Sequence, residues 1–305
     1  MDSGSLLSAE VVAAIDDLSL AARRVVEGMR AGEHRSPFHG FNLEFSQYRE
    51  YRPGDDLKYL DWKMLGRTDR LYTRQFLETT NMSVVFVLDA SASMDFPQRV
   101  SKLRYGAILA AALARLVIDS GDAAGLLAVS GEQRTWLPAR GGRAHLQLLL
   151  QRLARLEPAG RWQPADAVRR AAELLRRRGL LVVLSDFYDE EDGTLSELKR
   201  ATARGHEVAM LHLLSRDEVE LPYGGALEFT DLEGGGRRVA DAGKVRDEYR
   251  ARVAAFCDRL RDGASGAGID YRRFLTDEPP ARALRQYLVQ RVAAAGVGHV
   301  RPHRK

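Results

Sequence analysis

Residues 83–94 read Ser83-Val84-Val85-Phe86-Val87-Leu88-Asp89-Ala90-Ser91-Ala92-Ser93-Met94, an apolar, β-branched run that ends in carboxylate and hydroxyl groups. No polar residue interrupts Val84 to Leu88, which is the pattern of a strand buried on both faces. Such a strand needs helices on both sides, and the rest of the chain supplies them. Downstream, the periodicity predicts a helix over Val100–Ser120 and a strand over Gly125–Ser130, turned by Gly131-Glu132 into Arg134–Leu137. Helices at Ala144–Leu156 and Ala165–Arg178 precede a strand at Leu180–Leu184. A helix at Leu195–Arg204, a strand at Glu207–Leu213 and a weaker strand at Ala226–Thr230 follow. The long helix Lys244–Arg261 leads to an edge strand, Ile269–Phe274, and a last helix, Ala281–Ala293. Strands alternating with helices over this distance predict an α/β fold with a mostly parallel sheet flanked by helices.

Upstream the texture differs. Ser8–Arg30 reads as an amphipathic helix with Val11, Ile15, Leu18, Ala22, Val25 and Met29 on one face. From Ser36 to Asn81 aromatics, arginines and aspartates crowd together: Phe41, Leu43 and Phe45 alternate, Pro53-Gly54-Asp55 marks a turn, and Leu71–Leu77 reads as a strand. The expected division is therefore an N-terminal helix with a β-containing attachment over 1–82, the main α/β domain over 83–294 and a basic tail over 295–305.

Composition narrows the function. The 305 residues are 45% apolar and 29% charged with a formal net charge of +4, too little positive charge to predict a nucleic-acid binder. A single cysteine, Cys257, excludes an internal disulfide framework, and its neighbours Val253, Phe256 and Leu260 place it on the buried face of a helix. No signal-type segment opens the chain, and the apolar stretch Ile108–Ile118 is broken by Arg115 and too short to span a bilayer. A cytoplasmic protein is expected.

Ligands of open α/β sheets bind beyond the carboxyl ends of strands. Two such ends carry oxygen groups here: Asp89-Ala90-Ser91-Ala92-Ser93 after the first strand and Ser185-Asp186 after Leu180–Leu184. In an extended loop Asp89, Ser91 and Ser93 face one way, and hard oxygens suit Mg²⁺ or Mn²⁺. The alternative is a hydrogen-bonded loop that caps the next helix. Asp55, Asp56 and Asp61 form a second acidic cluster, read as a turn at Asp55 and an ion pair from Asp61 to an arginine such as Arg67, with a second metal site or a docking surface as the alternative.

Leu88-Asp89-Ala90-Ser91-Ala92-Ser93-Met94 resembles the metal-ion-dependent adhesion site of von Willebrand factor A domains, whose fold is Rossmann-like. The resemblance implies a Mg²⁺ site made by Asp89, Ser91, Ser93 and Asp186, completed by an acidic side chain of a binding partner. Tyr51-Arg52-Pro53-Gly54-Asp55-Asp56, Leu60-Asp61-Trp62, Phe229-Thr230-Asp231-Leu232-Glu233 and Gly268-Ile269-Asp270-Tyr271 further resemble an uncharacterised bacterial family, the domain of unknown function numbered fifty-eight. That family accompanies MoxR-type AAA+ ATPases, which makes such an ATPase the expected partner. One ligand departs from the pattern. Where the adhesion site has a threonine, this chain reads Pro158-Ala159-Gly160-Arg161-Trp162-Gln163-Pro164, so Mg²⁺ binding is expected to be weak, with Arg161 a candidate source of positive charge.

Nothing matches a nucleophile elbow, a phosphate-cradling loop or a dinucleotide fingerprint. The expected function is a non-enzymatic interaction module with a degenerate adhesion site, an adaptor or co-chaperone. The alternatives are a Mg²⁺-dependent phosphoryl hydrolase, which would want a lysine or general acid beside the aspartates, and a metal-free scaffold.

Overall fold

The computed structural model describes residues 17–24, 26, 45–50, 71–76, 82–96, 100–175, 177–188, 193–234 and 236–297. Residues 17–24 are helical, and the strands β1 (Phe45–Glu50) and β2 (Tyr72–Phe76) pair antiparallel. Val11, Ile15, Val25, Met29, Phe41, Leu43, the turn at Pro53-Gly54-Asp55, the cluster of Asp55, Asp56, Asp61 and Arg67, and residues 298–305 lie outside the described residues.

The main unit runs β3 (Ser83–Asp89), α1 (Lys102–Asp119), β4 (Ala123–Ser130), β5 (Gln133–Arg140), α2 (Arg143–Ala154), α3 (Pro164–Leu174) and β6 (Leu180–Ser185). It continues through α4 (Gly193–Ala203), β7 (Glu207–Leu214), α5 (Arg216–Glu220), β8 (Ala226–Thr230), β9 (Arg237–Asp241), α6 (Ala242–Ser265), β10 (Asp270–Leu275) and α7 (Pro280–Val297). Six strands form one sheet in the order β10-β7-β6-β3-β4-β5. All neighbours pair parallel except β4 and β5, whose tight turn at Gly131 makes β5 an antiparallel edge. The expected mostly parallel sheet with covering helices is the observed one. Ala226–Thr230 forms a strand as expected, but it pairs antiparallel with β9 in a separate hairpin instead of joining the sheet.

Each central strand splits its side chains between two apolar layers, as the pleat requires. Val84, Phe86 and Leu88 pack with α1, α2 and α7, a layer that also takes Leu18, Ala22 and Val26 of the N-terminal segment. Val85 and Val87 pack the other way with residues of α3, α4 and α6. Val87 and Leu88 are fully buried, which contributes about 1.5–3 kcal/mol each. Among the described residues no helix is long and apolar enough to cross a membrane. Cys257 is buried on α6 beside Val253 and Leu214, as its spacing predicts.

The strand order fixes where a site can form. From β3 the chain moves outward to β4 and β5, then returns past β3 to β6, β7 and β10. Connections therefore leave β3 and β6 in opposite directions, and a crevice opens between their carboxyl ends. Asp89 and Asp186 stand there.

Candidate functional site

Asp89 is the last residue of β3 rather than the first of the loop, and it is fully buried. Register explains its first partner. Leu88 lies opposite Leu184, so the next pair across the ladder is Asp89 and Ser185. The Ser185 hydroxyl donates to Asp89 Oδ2 at 2.5 Å, and the Ser91 amide donates to Asp89 Oδ1 at 2.8 Å. Burial, and then the charge of Asp186, push the Asp89 carboxyl up to about 7. The hydroxyls of Ser91 and Ser93 lie 3.0 Å apart, and Asp89 is joined to Ser91 through the amide. Residues Ala92–Asp95 make one 3₁₀ turn that sends Met94 into the core and leaves Ser93 partly exposed and Asp95 exposed.

A second loop clamps this one. Ala159 N–H donates to the Ala90 carbonyl, and Ala92 N–H donates to the Gly160 carbonyl, both at 3.0 Å. Gly160 has φ +65°, and a Cβ there would sit 2.6 Å from the Cα of Gly131, so no larger residue fits this crossing. The stretch expected to carry the adhesion-site threonine is thus in place, without the hydroxyl. Arg161 does not replace it. Its guanidinium reaches away to the Glu233 carbonyl, Nε to O 2.7 Å, at the β8–β9 turn. Trp162 is buried with its Nε1–H unpartnered.

The positive charge comes from a residue that sequence reasoning missed. Lys102, the first residue of α1 and 1% exposed, donates to Asp186 Oδ2 at 2.7 Å and to Glu218 Oε1 at 2.5 Å. Its ammonium also stands over the Tyr188 ring, 5.6 Å from the centroid. Burial opposes this charge, yet Asp186 and Glu218 hold the amine above the ordinary lysine range. The other oxygen of Asp186 accepts from the Tyr188 amide at 3.2 Å. Phe187, between them, adopts φ +54°, and its amide donates to the Ser185 hydroxyl at 2.9 Å. This left-handed step lets Ser185 serve Asp89 while Asp186 turns to Lys102.

Glu218 is itself fixed by α5. Ser215 and Glu218 form a reciprocal capping box, with Ser215 N–H on Glu218 Oε2 at 2.8 Å and Glu218 N–H on Ser215 Oγ at 3.1 Å. His212, opposite Ser185 in the β6–β7 ladder, is fully buried, and burial pushes its imidazole down to about 3. Its Nδ1 lies 2.8 Å from the Tyr271 hydroxyl.

The donor set fits a divalent cation only in part. Asp89, Ser91 and Ser93 present hard oxygens together, whereas Asp186 already has a counter-ion. Among the described residues no cluster of three or more His, Cys, Asp or Glu side chains is arranged to hold a metal.

Residues 47–257 match the family described as "Protein of unknown function DUF58". Over 303 residues the chain is 30% identical to Uncharacterized protein Rv1480 of Mycobacterium tuberculosis (strain ATCC 25618 / H37Rv), covering 97% of this chain and 94% of that one. It is 28% identical over 120 residues to Uncharacterized protein YeaD of Bacillus subtilis (strain 168), 39% of this chain and 28% of that one. Among solved structures, conserved hypothetical protein BatB from Bacteroides thetaiotaomicron is 17% identical with a TM-score of 0.46, over 70% of this chain and 99% of that one. The SpRpn10 VWA domain is 11% identical with a TM-score of 0.42, over 68% and 95%. Matched over most of its length by the family, and by a relative along nearly all of it, the chain belongs to the DUF58 family.

Proposed function

We propose that this chain is a non-enzymatic protein-interaction module, an adaptor or co-chaperone of a MoxR-type AAA+ ATPase, that binds through the loop at the switch point. The observation that carries this reading is the distribution of exposure around that loop. Asp89, Ser91, Ser185, Asp186 and Lys102 are all buried and out of direct reach of a substrate, while Ser93, Asp95 and Tyr188 present a polar and aromatic rim to solvent. A hydrolase would find its expected lysine beside Asp186, but sealed from any phosphate ester. Loops positioned by a fixed scaffold are suited to recognition.

On this reading the adhesion site is degenerate. Asp89, Ser91 and Ser93 would hold Mg²⁺, which on the side of the partly exposed Ser93 would supply a Lewis-acidic contact for a partner carboxylate, and binding is weak chiefly because Asp186 is engaged by Lys102. Localisation in the cytoplasm fits an ATPase partner. The test is capture of a purified MoxR-type ATPase by the wild type and by Ser93→Arg, a change on the rim. The variant is expected to lose capture while melting like the wild type. Equal capture by both would remove this face as the docking surface.

A further inference from the structure

We propose that Lys102 is the resident cation of the switch-point site, pairing the Asp186 carboxylate that the adhesion-site pattern gives to a divalent ion and keeping the face assembled without metal. This deepens the reading of the face given above, but it concerns how the face is held and stands whether or not an ATPase docks there.

The position of Lys102 is unfavourable to a charge by itself. Lys102 opens α1, where the aligned peptide dipoles disfavour a positive charge. It is also 1% exposed, and an ammonium is not carried into a protein interior unless strong partners wait there. Both penalties are met by two carboxylates within hydrogen-bond distance and by the face of an aromatic ring. Those partners come from two places in the chain: Asp186 and Tyr188 beyond β6, and Glu218 on α5 after β7. One amine therefore gathers the ends of two strands and the start of a helix, which is the structural task of a bound cation at such a crevice.

The charges at the crevice point the same way. Asp186 and Glu218 meet there with little exposure, the charge of Asp186 acts on the buried Asp89, and Lys102 is the cation that the described residues place between Asp186 and Glu218. Asp186 is the carboxylate that the adhesion-site pattern would give to the metal. Here its Oδ2 is 2.7 Å from an ammonium, so an incoming divalent ion would have to displace the lysine or stand against its charge. The missing threonine and the present lysine are then two sides of one change.

Thermal melts and calorimetric Mg²⁺ titrations, in chelator and in excess Mg²⁺, test this with the full chain. The wild type should melt at the same temperature in both and bind Mg²⁺ weakly. Lys102→Met should melt lower in chelator, regain stability in Mg²⁺ and bind the ion at least about tenfold more tightly, since a repelling charge has left and the carboxylates remain. Lys102→Arg, which keeps the charge, should stay indifferent to metal. If Lys102→Met does not fold, Lys102→Met/Glu218→Gln removes one carboxylate with the amine and is expected to show the same tightening. A wild type whose melting temperature rises clearly with Mg²⁺, or a charge-removed variant that binds Mg²⁺ no more tightly than the wild type, overturns the proposal. Equal ATPase capture by the wild type and Ser93→Arg, with metal indifference intact, would count against the docking face alone.

Discussion

Ser185 donates a 2.5 Å hydrogen bond to Asp89 across the β3–β6 ladder, joining the two strand ends at the point where the order of the sheet reverses. Both groups are fully buried, so neither can turn to water if the other is lost. Ser185→Ala should therefore cost about 1–3 kcal/mol, since it leaves a buried carboxylate short of a donor. Urea unfolding of the two proteins measures this. A difference near zero would show that Asp89 rests on the Ser91 amide alone.

Lys102→Met should be among the most damaging single changes at this face, at about 3–5 kcal/mol, because it strands two low-exposure carboxylates. Glu218→Gln should cost less, since the amide still accepts from Lys102 and the Asp186 pair survives. The order of the two, read from denaturant midpoints in chelator, is the prediction.

Acid should act on two buried groups in opposite directions. His212 has a folded value of about 3 against an ordinary 6.5, so the unfolded chain takes up its proton first. Its contribution is whole above about 6.5 and falls by at most about 1.4 kcal/mol per unit as pH drops toward 3. Asp89, raised to about 7 from 3.8, binds its proton more tightly when folded, so acidification through that window favours the fold. The wild type should thus show a shallow slope between about 6.5 and 4. His212→Phe, set among the rings of Phe187, Phe256 and Tyr271, should gain stability on acidification. A wild-type loss as steep as that of His212 alone would show that Asp89 does not offset it.

Arg161→Thr should leave Mg²⁺ affinity within about threefold of the wild type, although the sequence alone suggests that restoring a hydroxyl there tightens it. The guanidinium sits at the Glu233 carbonyl, so its removal takes no charge from the crevice, and Lys102 stays. Calorimetric titration beside Lys102→Met decides which cation governs the site.

Much of this was legible in the residues. The Val84–Leu88 run could only be a doubly covered strand, and it announced both the sheet and the place of Asp89. The nearness of Ser91 and Ser93 matches their spacing, although Ser93 sits in a 3₁₀ turn and not in the extended loop expected. Lys102 did not, because its partners arrive from β6 and α5, far along the chain. One local signal existed: a lysine at the start of a helix that is apolar almost throughout is at odds with both the dipole and the core. Ser215-Arg216-Asp217-Glu218 likewise carries the capping-box pattern, but α5 is too short for apolar periodicity to reveal. Strand β9, Arg237–Asp241, is mostly exposed and arginine-rich, so nothing but its pairing with β8 makes it a strand.

Phe187 holds a left-handed backbone with its ring sealed in the core, a conformation that costs a bulky residue on the order of 1–3 kcal/mol. The tension is balanced on either side, by Ser185 on Asp89 and by Asp186 on Lys102. This makes the residue a sprung hinge pin with two catches. Release of the Lys102 catch lets the pin unwind, which would swing Tyr188 away from Phe256, the ring it stacks on at 5.2 Å. A partner that pries at the rim would pull directly on this one strained residue.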